Sequence, residues 1–317
     1  MTTHDPTIPP PRRLKPWRAV EKRLAKVGIS GRMLVLAAPV LWLLVFFVVP
    51  LAVVFGISLA TKQFGRPPYS PLLTTTEEGT VQLTLHLSNY IRLFTDNLYV
   101  AAYLSSIRIA FVSTIFTLLI GYPMAYAIAR APEQWRNILL MLVILPFFTS
   151  FLLRVYALTG FMRGNGVINQ FLGLFGIEPL VMMQTDFAVY VGIVYTYLPF
   201  MILPLYTTLV KLDVSLFEAS ADLGARPLRT FLSVTLPLSI PGIVAGSMLV
   251  FIPAIGEFVI PSLLGGPETL MIGRVLWDEF FTAANWPRAA AVAVAMLVVV
   301  VVPIMLLQKA QGAVVEK

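Results

Sequence analysis

Uncharged, apolar residues gather into six runs along this chain, at positions 33–60, 109–129, 137–153, 187–210, 237–256 and 289–308. A helix rises about 1.5 Å per residue, so each run is long enough, or nearly so, to cross about 30 Å of hydrocarbon. The pattern predicts an all-α integral membrane protein with six transmembrane helices. The third run is the shortest and is closed by Arg154, whose long stem lets its charge snorkel to an interface. Prolines inside the runs, Pro39, Pro50, Pro123, Pro146, Pro199, Pro204, Pro241 and Pro253, predict kinked helices. A membrane bundle tolerates these because neighbouring helices satisfy the freed backbone groups, and kinks suit a protein that rocks open.

Between the fourth and fifth runs lies a polar stretch, 211–229, with the grammar of a short helix. Ser215 followed by Glu218 reads as a capping box, Gly224 supplies a left-handed stop, and Pro227 can open the next helix. Leu212, Leu216, Ala219 and Leu223 recur at helical spacing, giving an apolar stripe on an otherwise charged segment. A small helix of this kind at a membrane surface reads as a docking element. The capping box by itself accounts for a carboxylate at Glu218, with a stabilisation of about 1 kcal/mol or less.

Composition agrees with the membrane class: 317 residues, 58% hydrophobic and 12% charged, with a mean hydropathy of +0.83. The net charge of +7 could suggest a nucleic-acid partner. The basic residues instead sit beside the apolar runs, so membrane topology accounts for them and no nucleic acid is expected. Residues 1–32 form a basic amino-terminal tail, Pro-rich at its start, with an interfacial helix expected near Trp17. The basic stretch is too long, and the run that follows it too extended, for a cleaved signal peptide, so the first span is retained.

With the amino terminus inside, the cytoplasmic segments hold 15 Lys and Arg, counting the tail, Arg130, Arg136, Lys211, Arg226, Arg229, Lys309 and Lys317. The opposite side holds seven, namely Lys62, Arg66, Arg92, Arg154, Arg163, Arg274 and Arg288. The imbalance places the amino terminus, the 211–229 loop and a short tail at 309–317 in the cytoplasm, around a membrane domain at 33–308. A long outer loop begins at Thr61, with turn residues and then an interfacial helix through Leu87, Tyr90, Ile91, Leu93 and Phe94. Zero Cys excludes disulfides and thiolate metal sites.

Glu257 is the one acidic side chain embedded in an apolar stretch. A carboxylate there is costly unless it faces the bundle interior, and counting from Pro237 it lies about 30 Å along the helix, nearer the outer face. It either lines a solute path or pairs with an outer arginine such as Arg154 or Arg274. Trp277, Asp278 and Glu279 form an acidic and aromatic patch in the last outer loop, a combination suited to a small organic cation. The competing reading is an interface tryptophan with solvated acids. Tyr195 and Tyr197 could line the same path or serve as helix packing. No phosphate loop, zinc-protease or nucleophile-elbow motif is present, and His4 and His86 are the only histidines. No catalytic constellation, metal site or bound cofactor is expected.

Glu218-Ala219-Ser220, then Gly224-Ala225, Phe231, Val234 and Leu236-Pro237, resemble the EAA loop of the membrane subunits of bacterial ABC importers, with Ser220 where that pattern prefers Ala. The stretches 145–156, 190–204 and 251–277, with Leu-Leu-Gly-Gly-Pro-Glu at 263–268, look like polyamine importer permeases of the putrescine type. The resemblance implies a MetI-like type I importer fold in a bacterial inner membrane, surrounded by lipid. It implies three kinds of partner subunit or protein: a homologous second permease, two ATPase subunits that bind ATP and Mg, and a periplasmic polyamine-binding protein. It also implies that Leu216, Glu218, Ala219, Ser220, Leu223, Gly224 and Arg226 couple the chain to the ATPase. An ABC permease for spermidine or another small solute is the alternative. An ion-coupled carrier would need midplane charges that the spans, Glu257 aside, lack.

Overall fold

The computed structural model describes residues 31–75 and 80–315. The tail at 1–32, with the helix expected near Trp17, lies outside the described residues up to position 30. The chain divides into two compact units, Met1–Gly56 and Ile57–Lys317. In the first, α1 (Gly31–Leu43) runs through a π turn at Leu44–Val48 into α2 (Val49–Ser58). Pro50 has no N–H to give to the preceding turn, and the widened π turn just ahead of it absorbs the mismatch.

The second unit opens with a loop that holds a short strand pair. Leu73–Thr75 (β1) pairs antiparallel with Val81–Leu83 (β2). The expected interfacial helix follows as α3 (Ser88–Thr95), burying Leu93 while Ile91 and Phe94 stay exposed. Asn89 Nδ2 donates to the carbonyls of Ser58 and Ala60, at 2.9 and 2.8 Å, and ties α3 to the start of the loop.

Three long helices, α4 (Asn97–Arg130), α8 (Asp186–Leu209) and α12 (Ile240–Ile255), pack pairwise and carry the core. The second apolar run begins earlier than its uncharged part, because Asp96 caps α4 through the N–H of Leu98 at 3.0 Å. Arg108 is accommodated inside α4 by Asp186, 2.8 Å away at the start of α8. Small residues permit the close approach. A Cβ at Gly246 of α12 would sit 2.8 Å from Met201 Sδ, and one at Gly121 of α4 would sit 3.0 Å from Met201 Cγ. Met201 of α8 is a fully buried wedge between two bare backbones.

Two runs do not form straight spans. The third splits into α5 (Glu133–Ile144), a 3-10 turn at Leu145–Phe148 and α6 (Phe151–Met162), the last continuing into α7 (Val167–Gly173), with a 93° bend. Pro146 starts the tightened turn, and Thr149 Oγ1 donates to the Pro146 carbonyl at 2.6 Å. Arg154 lies beyond the bend and does not snorkel. It is 8% exposed, with its guanidinium 5.7 and 5.9 Å from the rings of Phe147 and Phe151 and its Nε without a partner. The fifth run is approached by α10 (Pro227–Thr230), a π turn at Phe231–Thr235 and α11 (Leu236–Leu238), and bends by 64° at Ser239 before α12.

The chain closes with α13 (Val259–Leu264), α14 (Ile272–Trp277), a π turn at Asp278–Thr282 and α15 (Trp286–Val315), which runs past the expected boundary at 308. Among the described residues, three helices are long and apolar enough to cross a membrane, five if each bent pair counts as one, and Trp286–Val302 adds a shorter apolar helix.

Candidate functional site

The 211–229 loop contains α9 (Val214–Asp222), and its cap is not the expected one. Asp213 Oδ1 accepts the N–H of Ser215 at 3.0 Å, so Asp213 is the N-cap and Ser215 already lies in the first turn. The same N–H holds the Asp213 carboxyl below its ordinary value of 3.8. Gly224 ends the helix with φ of +74°, a left-handed conformation that carries almost no cost without a Cβ. Pro227 opens α10.

The helix has two faces. Phe217 turns inward beneath the guanidinium of Arg130, whose Cζ is 3.7 Å from the ring centroid. Ser220 Oγ lies 2.8 Å from Thr230 Oγ1 on α10. Glu218, Ala219 and Arg226 are exposed, as are Leu216 at 41% and Leu223 at 89%. Leu212 breaks from the expected stripe and packs against the buried cluster of Tyr122, Ala125, Met201 and Leu205. Of that stripe, Leu216, Ala219 and Leu223 are left facing outward. The expected grouping put Ser220 with them, whereas its hydroxyl is joined to Thr230.

Glu257 sits in the break between α12 and α13 and is 8% exposed. Its Oε1 accepts the backbone N–H groups of Phe258, Val259 and Ile260 at 3.2, 3.0 and 3.4 Å. Its Oε2 accepts the Tyr197 hydroxyl at 2.6 Å. The expected pairing with Arg154 or Arg274 is not formed. The ion pairs among the described residues are Arg92 with Asp96, Arg108 with Asp186, and Arg288 with Glu279. The buried carboxylate is held by neutral donors and has no cationic partner there.

The remaining candidates separate. Tyr195 and Tyr197 are two positions apart on α8 and face opposite ways. Tyr195 is 40% exposed and lines an apolar groove of about 610 Å³ with Phe116, Ile120, Phe187 and Leu198. Trp277 is exposed and stacks on Phe258 at 4.3 Å and 10°, next to Glu257. Asp278 is also exposed, whereas Glu279 turns inward. Glu279 Oε1 accepts the Tyr99 hydroxyl and, at 3.2 Å, Arg288 NH1, so its charge is matched within the chain. The structure brings Tyr197, Glu257, Phe258 and Trp277 together and leaves Tyr195 and Glu279 elsewhere. Phe258, Asp213 and the Arg130–Phe217 stack were not picked out from the sequence. Asp213 alone had a local signal, a capping residue directly before the helical spacing.

Comparison with known proteins bears on the family and the fold. Residues 100–315 match the family described as the binding-protein-dependent transport system inner membrane component. The spermidine/putrescine transport system permease protein PotB of Escherichia coli (strain K12) is 38% identical over 260 residues, covering 81% of this chain and 90% of that protein. PotB of Salmonella typhi is 38% identical over 260 residues, with 81% and 86% covered. In fold, the chain resembles one from the bacterial alginate ABC transporter in complex with an alginate pentasaccharide-bound periplasmic protein. That match has a TM-score of 0.67 at 16% identity and covers 92% and 94% of the two chains. Matched by the family model over residues 100–315 and by these permeases over 81% of its length, the chain belongs to the binding-protein-dependent transport system inner membrane component family, as the permease of an ABC importer and not an enzyme.

Proposed function

We propose that this chain forms, with a homologous second permease, the path by which an ATP-driven importer brings a polyamine, putrescine first, into the cell. The observation that carries the reading is the buried Glu257 carboxylate, held by Tyr197 and three N–H groups without a cation of its own, beside the stacked rings of Phe258 and Trp277. An alkylammonium supplies the missing charge, and each aromatic face it meets adds about 0.5–2 kcal/mol. The identity to proteins named for spermidine and putrescine transport supports the same substrate class. Asp278 and Trp277 are assigned to the mouth of the path. Glu279 is assigned to structure, because Arg288 already answers its charge.

In this reading six spans cross the inner membrane with the amino terminus in the cytoplasm. Two ATPase subunits, which bind ATP and Mg, receive α9 through Leu216, Ala219 and Leu223. A periplasmic polyamine-binding protein delivers the cargo on the other side. Closure of the ATPase pair pushes α9 and turns the path outward, and hydrolysis resets it. Such alternating access requires contacts that differ between two global states.

The test is uptake of labelled putrescine by cells lacking this subunit, with spermidine as competitor. Loss of putrescine uptake, restored by the chain in trans, is expected. Competition by spermidine at equal concentration would move the cargo towards spermidine, and unchanged uptake of both would remove the polyamine reading.

A further inference from the structure

The inner face of α9 is fixed to the last residue of α4 by one stacked cation. Arg130 Cζ lies 3.7 Å from the Phe217 centroid and 5.5 Å from that of Tyr126, one turn earlier on α4. Tyr126 and Tyr122 both meet Phe231 edge-on, with centroids 6.0 and 5.6 Å apart and interplanar angles of 90° and 89°. The Tyr122 hydroxyl lies 2.9 Å from Ser239 Oγ, at the 64° bend that opens α12. Phe217, Arg130, Tyr126, Phe231, Tyr122 and Ser239 therefore form one chain of contacts from the exposed helix to the bend. The covalent route between the same two places passes through the turn at Gly224, and it does not include α4.

Among the described residues Arg130 forms no ion pair, so aromatic rings are the partners of its guanidinium there. A planar guanidinium over a ring, and rings held edge to face, keep a fixed relative orientation. Aliphatic side chains of the same volume slide past one another.

We propose that Arg130 is a positioning residue of the importer: through Phe217 on one side and Tyr126 on the other, it makes α4 and the bend at Ser239 move with α9. The proposal rests on the importer reading above, and goes beyond it by naming the link between the ATPase-facing helix and the spans. It requires a cation and a ring at these two positions. Simple packing would be met by any side chains of similar size.

The experiment uses the whole importer reconstituted in lipid vesicles: this chain, its second permease, the ATPase subunits and the polyamine-binding protein. Three quantities are read for each variant, namely recovery of ATPase subunits with the membrane complex, basal ATP hydrolysis, and the stimulation of hydrolysis by loaded binding protein. Arg130→Met and Phe217→Leu remove the cation or the ring while keeping apolar bulk. Each is expected to assemble with normal basal hydrolysis while stimulation falls about fivefold, the low end of coupling between sites. The double variant is expected to be no worse than either single one, Phe217→Trp is expected to recover most of the loss, and Arg130→Lys, which keeps the charge without the plane, is expected to recover less of it.

Full stimulation in Phe217→Leu, additive losses in the double variant, or no recovery with Phe217→Trp would overturn the proposal. So would loss of ATPase subunits from the complex in the single variants, which would make the pair a structural brace. A wild-type complex that the polyamine-binding protein does not stimulate would remove the polyamine-importer reading, and the proposal with it. That outcome is distinguished because it appears before any variant is compared.

Discussion

At the scale of residues, two buried glutamates of the same charge differ in what faces them. Glu279 shares an oxygen with Tyr99 and Arg288, whereas Glu257 meets one hydroxyl and three backbone N–H groups. Glu257→Gln keeps the size and an oxygen for the N–H groups but removes the charge. Polyamine uptake is expected to fall about tenfold at unchanged protein level, a loss of about 1.4 kcal/mol in the transport step. Glu279→Gln leaves Arg288 without its counter-charge and is expected to lower thermal stability of the purified chain, with the concentration dependence of uptake unchanged.

Asp213 gives a pH signature. Its carboxyl is held below the ordinary value, so the cap is fully present above pH 3.8 and is lost as pH falls through the lower folded value. Protection of the Ser215 amide, its exchange rate relative to that of an unstructured amide at the same pH, should be flat from neutral pH down to that range. Asp213→Ala should expose the amide at every pH. The sequence held both Asp213 and the Ser215-to-Glu218 pattern, and spacing alone did not choose between them. The choice follows from where the turn after α8 releases the chain, which is a matter of packing.

At the scale of elements, hydrophobic runs located the helices well, and prolines located the places where they would deviate. Composition did not give the size of the deviation. The third run turns by 93° after the 3-10 turn that holds Pro146, where Thr149 Oγ1 donates to the Pro146 carbonyl, whereas Pro199 and Pro204 sit inside an uninterrupted α8. The early start of α4 was hidden by Arg108, which reads as a boundary until Asp186 is seen beside it. Helix contacts were legible only in part. Gly121 and Gly246 were visible, but nothing local showed that both would close on Met201. Gly246→Val should force Met201 aside and cost about 1–3 kcal/mol by overpacking, read as a drop in thermal stability of the detergent-solubilised chain. The change to Ala should be milder, since the flexible Met201 side chain can yield to one methyl.

At the scale of the whole molecule, the exposed strip of α9 and the break that holds Glu257 lie at opposite ends of α12 and its approach, and they are joined both across the bend at Ser239 and along α8, which carries Tyr197 and runs into α9. Removing residues 218–224 should leave the chain inserted yet abolish hydrolysis stimulated by binding protein in the reconstituted importer. Normal stimulation there would show that α9 is not the coupling element. The loop was legible because its motif is contiguous. The Arg130–Phe217 stack was not, because its partners are far apart in sequence and neither belongs to a pattern.

The donors around Glu257 have a kinetic consequence. An ammonium arriving there would have to compete with Tyr197 and the amides of α13 for the same two oxygens, and when it left the carboxylate would again be solvated by groups already in place. In a polyamine path through this point, the return to those donors between transport cycles is therefore inexpensive, and the residence of an ammonium is short. Under the proposed reading the permease is a fast, forgiving conduit, and discrimination among amines of different length falls to whatever hands them to it.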